Sequence, residues 1–309
     1  MAKLRISIVQ YLNTAPLVRG FTHGPFQGKY DLSFTVPSQC ADELRSGKAD
    51  IAIIPAIEYQ RIPGLTILPD LAVASKGKVR SLLLISKKPI AEVQSIALDT
   101  SSRSTQALTR ILCSTHWHIS PSFTEAAPNL DKMLHDSDAA LLIGDPALRV
   151  AVELEPSTVL DVDGPVACLA SAIGVKNAEA LYLYDIVEEW RKATDFPAVL
   201  AVWAARTEIV TTEIADEFIS SLEFGKAQLE QICQEAATEL ALPIDEIDHY
   251  LRANIDFSLD DENRKGLLAY YSHAYRLQLI EKLNPIRIAA RTGTPARLMD
   301  FAWAQPSAT

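Results

Sequence analysis

Cysteine is scarce and scattered in this 309-residue chain. Its four residues, Cys40, Cys113, Cys168 and Cys233, include no CxxC pair. That spacing excludes a zinc ribbon, a thioredoxin-like redox site and any disulfide framework evident from sequence. It fits buried free thiols in a reducing compartment. Positive charge is also in deficit, with 29 Lys and Arg against 39 Asp and Glu for a net charge of −10. No Lys/Arg cluster offsets that repulsion, which argues against a nucleic-acid partner. No apolar run approaches the roughly 20 residues needed to span a bilayer. The run Leu4–Val9 is broken by Arg5 and Ser7, is too short for a signal-peptide core, and is followed by no small-residue cleavage site. A soluble, cytoplasmic protein without a membrane partner is expected.

What the chain does contain is enough apolar material, 48% of residues against 22% charged, for a sizeable core, and a length that favours about two domains of roughly 100–200 residues each. Short apolar runs alternate with helix-like segments. Strands are expected at Leu4–Val9, Asp31–Val36, Asp50–Pro55, Leu65–Leu68 and Ser81–Ser86, the last two joined by the turn-like Lys76-Gly77-Lys78. Further strands are expected at Ser95–Leu98, Ser122–Thr124, Ala139–Ile143 and Val199–Ala204. Helices are expected from Thr14, over Gln39–Ser46 behind an N-cap at Ser38, over Ser104–Cys113 and over Asn129–His135. Strands alternating with helices make this an α/β protein with parallel sheets covered on both faces. Beyond Val199–Ala204 the pattern is helical over Glu213–Leu240, Ile244–Tyr250 and Asp261–Leu283, and the tail after Arg291 reads as loosely held. Two α/β series and a helical C-terminal segment imply two lobes, residues 1–86 with 200–309 and residues 87–199. The chain would cross between them near Ser81–Ser86 and Val199–Ala204.

In open α/β sheets ligands bind beyond the carboxyl ends of the strands, so the residues following the strands are the candidates. The hydroxyl-rich run Asp99, Thr100, Ser101, Ser102, Arg103, Ser104, Thr105 opens a helix, where free N–H groups and the helix dipole favour a carboxylate or phosphate. Simple N-capping by one of its hydroxyls is the other reading. The run lacks the glycines and lysine of a phosphate-binding P-loop. Asn13 follows a strand and precedes a proline-initiated helix, as a cap or as a ligand-facing amide. Gly144 and Asp145 follow another strand. Ser81 has no GxSxG around it and no paired base, so a nucleophilic triad is unsupported. Glu58 is open to a general-base role or to capping. His116 and His118 have no acidic or cysteine partner at ligand spacing, and Asp161, Asp163 and Gly164 are a calcium-loop fragment without its remainder. Neither a metal nor another cofactor is expected, and Trp190 and Trp203 read as core. Residue physics alone stops at a two-lobed α/β protein binding a small anion in its cleft.

Several segments together resemble a known family: Tyr11-Leu-Asn-Thr-Ala-Pro-Leu17, Asp50-Ile-Ala-Ile-Ile-Pro-Ala-Ile-Glu-Tyr59, Leu98-Asp-Thr-Ser-Ser-Arg-Ser-Thr105 and Ala139-Ala-Leu-Leu-Ile-Gly-Asp-Pro-Ala-Leu148. Tyr184-Asp-Ile-Val-Glu-Glu-Trp190, Ala201-Val-Trp-Ala-Ala-Arg206 and Asn254-Ile-Asp-Phe-Ser-Leu259 follow in order. The set is similar to the chorismate dehydratases of the futalosine route to menaquinone, from about Arg5 to the region of Leu283. The resemblance implies a two-lobed fold like the type II periplasmic binding proteins. It also implies loss of water from chorismate to give 3-[(1-carboxyvinyl)oxy]benzoate, a hydro-lyase reaction. It ties Asn13 and Ser81 to catalysis, and assigns substrate binding to Thr100, Ser101, Ser102, Arg103, Ser104 and Thr105, with Gly144 and Asp145 on the far wall. For the base it implies the substrate's own enolpyruvyl carboxylate. Two departures stand out: Ala56 replaces a hydroxyl common in relatives, and Ser104-Thr105 reverses the commoner Thr-Ser order. A sister family making 1,4-dihydroxy-6-naphthoate carries a Ser-Pro-Cys-Pro-Asn-Asp-like N-terminal motif that is replaced here by Tyr11-Leu-Asn-Thr. A non-enzymatic solute-binding protein for a small carboxylate would use the same fold, but the lack of an export or lipoprotein signal argues against it.

Overall fold

The computed structural model of the chain describes residues 3–154, 166–169 and 180–301. Among these residues the strands form two sheets. The seven-stranded sheet contains β1 (Arg5–Val9), β2 (Asp31–Thr35), β3 (Ile51–Pro55), β4 (Leu65–Ser75), β11 (Ala198–Arg206), β12 (Ile286–Ile288) and β13 (Arg297–Met299), in the order β13-β12-β4-β11-β3-β1-β2. The six-stranded sheet contains β5 (Leu82–Ser86), β6 (Ser95–Asp99), β7 (Ser122–Ala126), β8 (Ala139–Ile143), β9 (Val166–Leu169) and β10 (Ala180–Asp185), in the order β7-β6-β8-β5-β10-β9. In each sheet a parallel core, β2-β1-β3 or β7-β6-β8, meets one antiparallel neighbour, β11 or β5. Residue pattern explains the placement. β3 (IAIIP) and β8 (AALLI) are apolar throughout, buried and central, whereas the half-polar β2 (DLSFT) and β7 (SFTEA) lie at edges.

The helices are α1 (Ala15–Thr22), α2 (Pro37–Arg45), α3 (Ala56–Arg61), α4 (Arg103–Thr115), α5 (Leu130–Asp136), α6 (Asp145–Leu154), α7 (Ile186–Thr194), α8 (Thr212–Ala227), α9 (Leu229–Leu240), α10 (Ile244–His249) and α11 (Asp261–Arg276). Several expectations are corrected. The strand expected at Leu65–Leu68 runs on to Ser75, and at Lys76-Gly77-Lys78 the chain leaves for the other sheet, where β5 lies between β8 and β10. The crossings therefore fall at residues 76–81 and 186–197, just ahead of the expected positions. Ser38 is not the cap of α2, because Pro37 already occupies the first helical turn, needing no N–H partner, and extended Val36 stands at the cap. The span Glu213–Leu240 breaks at Gln228 into α8 and α9, and the last long helix ends at Arg276. After Arg291 the chain is anchored by β13 pairing with β12. Trp190 and Trp203 are fully buried, as expected, Trp203 edge-on to Phe218 and Trp190 against Tyr270.

Two features of this architecture position the site. The first crossing ends in Arg80, a non-glycine residue in the left-handed region (φ 64°), which delivers Ser81 to the start of β5. The buried carboxylate of Asp185 fixes that turn, accepting from the N–H groups of Val79 (2.9 Å) and Arg80 (2.6 Å) while it caps α7 through Val187 and Glu188. The second feature is close packing of α1 on α8. Ser221 Oγ accepts from Gly20 N–H (3.1 Å) and donates to Leu17 O (2.8 Å). At Gly225 an added Cβ would lie 1.9 Å from Pro16 O. Since α1 begins beside Asn13, this contact sets the site's first wall. Gly225→Ala is expected to force the helices apart and cost roughly 1–3 kcal/mol of stability, the usual scale of overpacking, measured as a lowered Tm in thermal denaturation.

Candidate active site

A narrow cavity of about 40 Å³ opens where the two sheets meet, lined by residues that include Tyr11, Asn13, Thr14, Ser102, Thr105 and Gly144. Its other lining residues are apolar, among them Val9, Val73, Leu82, Ile143 and Leu200. Helix starts converge on it: Asn13 and Thr14 precede α1, Pro37 begins α2, Pro55 caps α3, Ser102 caps α4 and Gly144 precedes α6. Among the described residues none lining the cavity is Lys, Arg or His. An anion here meets hydroxyls, an amide and the positive ends of helix dipoles rather than a full counter-charge.

The structure brings Asn13 and Ser81 together through a residue the sequence reading missed. Tyr250, fully buried at the head of a π-helical turn (Tyr250–Asn254), donates its phenolic O–H to Ser81 Oγ at 2.8 Å. Asn13 engages the same phenol, and burial raises the phenol's pKa above the usual tyrosine value. Ser81 lies just behind the lining, fully buried beside Leu82, and its carbonyl accepts from Gly144 N–H at 2.8 Å. Gly144 adopts φ 69°, and a Cβ there would come within 2.7 Å of the Tyr11 ring, so only glycine fits under that ring. Burial pushes the Tyr11 phenol up to about 12, with the carboxylates of Asp99 and Asp145 adding to the rise.

The hydroxyl-rich run divides by role. Ser102 and Thr105 line the cavity, their hydroxyls 3.1 Å apart. Ser101 and Ser104 instead join the elements of one sheet to those of the other: Ser101 O accepts from Ser38 N–H (2.9 Å), and Ser104 Oγ accepts from Ile57 N–H (3.0 Å). Thr100 is exposed and does not line the cavity. Arg103 is directed to Asp42 (2.9 Å) and Glu58 (3.4 Å), away from the lining. Glu58 is not a base in the cleft; its buried carboxylate is ion-paired with Arg45, Arg61 and Arg103. Asp145 accepts from Leu12 N–H at 3.0 Å, beside the cavity rather than in its lining.

His116 pairs with Glu189 (3.2 Å), His118 occupies a left-handed turn (φ 54°), and no cluster suited to a metal occurs among the described residues. Asp161, Asp163 and Gly164 lie outside the described residues. Cys40, Cys113 and Cys233 are buried free thiols. No described helix is long and apolar enough to cross a membrane. Asp185 was missed as well, although an Asp directly before the run from Ile186 is an N-cap signal; Tyr250, between Ile247 and Leu251, has the spacing of an ordinary core aromatic.

Two sheets with an antiparallel strand beside each parallel core, and a cleft where the strands end, define a protein with the periplasmic-binding-protein fold. The alkanesulfonate-binding protein SsuA of Xanthomonas axonopodis superposes with a TM-score of 0.60 at 16% identity, over 91% of this chain and 95% of its own. A Candida albicans protein with the generic periplasmic binding protein fold gives 0.56 at 11% identity, over 92% of each chain. A protein of Archaeoglobus fulgidus gives 0.67 at 15% identity, over 90% of this chain and 98% of its own. The chain belongs to the menaquinone-biosynthesis family, whose profile matches residues 4–276. It is 26% identical over 267 residues to the chorismate dehydratase of Thermus thermophilus, covering 86% of this chain and 93% of that one.

Burial raises the carboxyl of Asp145 from its ordinary 3.8 to about 6; nearby Glu239 adds to the rise, while Leu12 N–H and Arg149 oppose it. The folded state therefore holds this proton more tightly than the unfolded chain, and stability from this group is lost as pH rises through about 6. Asp145→Asn retains an oxygen acceptor for Leu12 without the charge. Its Tm should exceed wild type above pH 6, and the difference should vanish towards pH 4, in melting curves across that range.

Proposed function

We propose that this chain is a chorismate dehydratase of menaquinone biosynthesis, a hydro-lyase that removes water from chorismate. The observation carrying the reading is the meeting of Asn13 and Ser81 at one buried phenol, beside a cleft whose anion-binding capacity comes from helix starts and hydroxyls. Family membership and the dehydratase relative supply the substrate class. In the reaction a ring C–H bond breaks, its electron pair enters the ring, and the C4–O bond breaks. The departing hydroxyl leaves as water and the ring becomes aromatic. Ser102, Thr105 and the start of α4 hold a carboxylate. Asn13 and Ser81 hydrogen-bond the second carboxylate and the leaving hydroxyl, so that C–H and C–O bonds are aligned for loss. Gly144 lets the Tyr11 ring pack against the cavity wall. No described lining residue is a carboxylate, imidazole or amine, which favours the substrate's enolpyruvyl carboxylate as the proton acceptor. The lobes divide where the chain changes sheets, and the cleft closes on substrate.

The test is chromatography of purified protein incubated with chorismate alone. The expected product is aromatic and one water lighter. Asn13→Ala and Ser81→Ala should each lower kcat by roughly 100-fold or more, the scale for loss of one oriented donor, with little change in Tm. Unchanged chorismate that still raises the melting temperature would turn the reading to a solute-binding protein.

A further inference from the structure

We infer that Tyr250 is a positioning residue that sets the direction of the Ser81 hydroxyl, an inference that rests on the proposed reaction. A tyrosine O–H and a serine O–H each carry one proton. Tyr250 gives its proton to Ser81 Oγ at 2.8 Å. The serine lone pair on that side is then occupied, and the serine's own proton is turned away from Tyr250. Ser81, just behind the lining, is thereby left a donor on the side away from Tyr250, which a leaving hydroxyl or a carboxylate requires. Burial raises the phenol's pKa, so the phenol keeps the proton that it gives to Ser81.

The surroundings hold the phenol in place. Tyr250 opens a π-helical turn directly after α10, a rare local geometry that often marks functional sites. One turn upstream, Glu246 binds Arg80, the residue before Ser81, at 2.6 Å. The same short segment therefore grips both the backbone turn that carries Ser81 and the hydroxyl of Ser81. Asn13 engages the phenol from the α1 side, so one oxygen couples the two groups assigned to catalysis.

Tyr250→Phe removes the oxygen and keeps the ring. It should lower kcat by roughly 10- to 100-fold, the scale for residues that orient a reacting group, while KM and Tm stay close to wild type. A double-mutant cycle supplies the readout that a purely structural role would not move. In the Ser81→Ala background, where there is no hydroxyl to orient, Tyr250→Phe should cost little more. Full kcat in Tyr250→Phe, or an undiminished loss in the Ser81→Ala background, overturns the inference. If the phenylalanine variant does not fold, near-isosteric 3-fluorotyrosine at position 250 serves instead. Its more acidic phenol polarises Ser81 more strongly and should raise kcat, whereas an unchanged kcat overturns the inference. A wild-type protein without turnover overturns the proposed reaction instead, so the two failures are distinguishable.

Discussion

The carboxylate of Asp185 is the fixed point of this molecule. One oxygen caps α7, and the other holds the N–H groups of Val79 and Arg80 in the first crossing. Both crossings between the sheets are thus tied to a single buried group. Buried charge is tolerated only when hydrogen-bonded, and here the partners are backbone groups that would otherwise be unpaired themselves. A left-handed non-glycine residue costs of order 1–2 kcal/mol, and at Arg80 that cost is offset by the bond to Asp185. Ser81, Gly144 and the ring of Tyr11 follow from this turn in sequence of contact: Ser81 O receives Gly144 N–H, and Gly144 receives Tyr11.

Much of the polarity around the cleft is spent on joining its two sides. Ser101 to Ser38, Ser104 to Ile57, Asp145 to Leu12 and Arg103 to Asp42 all connect elements of the six-stranded sheet with elements of the seven-stranded one. The hydroxyl-rich run therefore serves two purposes on one helical turn. Residues facing the seam take up backbone groups of the opposite side, and Ser102 and Thr105, facing inward, remain for a ligand.

What the sequence revealed and what it hid divide along local and non-local physics. Parallel core strands were legible because continuous apolar runs such as IAIIP and AALLI have one comfortable position, in the middle of a covered sheet. The positions of Asn13, Ser102 and Gly144 after strands followed from the same logic. Crossing points were displaced because the sheet membership of β5 depends on its partners β8 and β10, not on its own residues. Arg103 read as an anion ligand because nothing in sequence announces that Asp42 and Glu58 wait beside it. Tyr250 was invisible for a similar reason: its burial is ordinary, and only the three-dimensional meeting with Ser81, 169 residues away, gives its hydroxyl a task.

The absence of a cation in the described lining has a chemical meaning under the proposed reaction. A guanidinium or ammonium against the enolpyruvyl carboxylate would bind it strongly but lower its pKa, weakening it as an acceptor for the ring proton. Hydroxyls, an amide and helix dipoles hold the carboxylate through partial charges, so they orient it with a smaller loss of basicity. The arginines of this region are found instead outside the lining, where Arg45, Arg61 and Arg103 neutralise Glu58 and where Arg80 meets Glu246. Binding strength is thereby traded for reactivity. A site that uses the substrate's own carboxylate as base needs its electrostatics arranged in this way, with orientation near the ligand and full charges kept behind the wall.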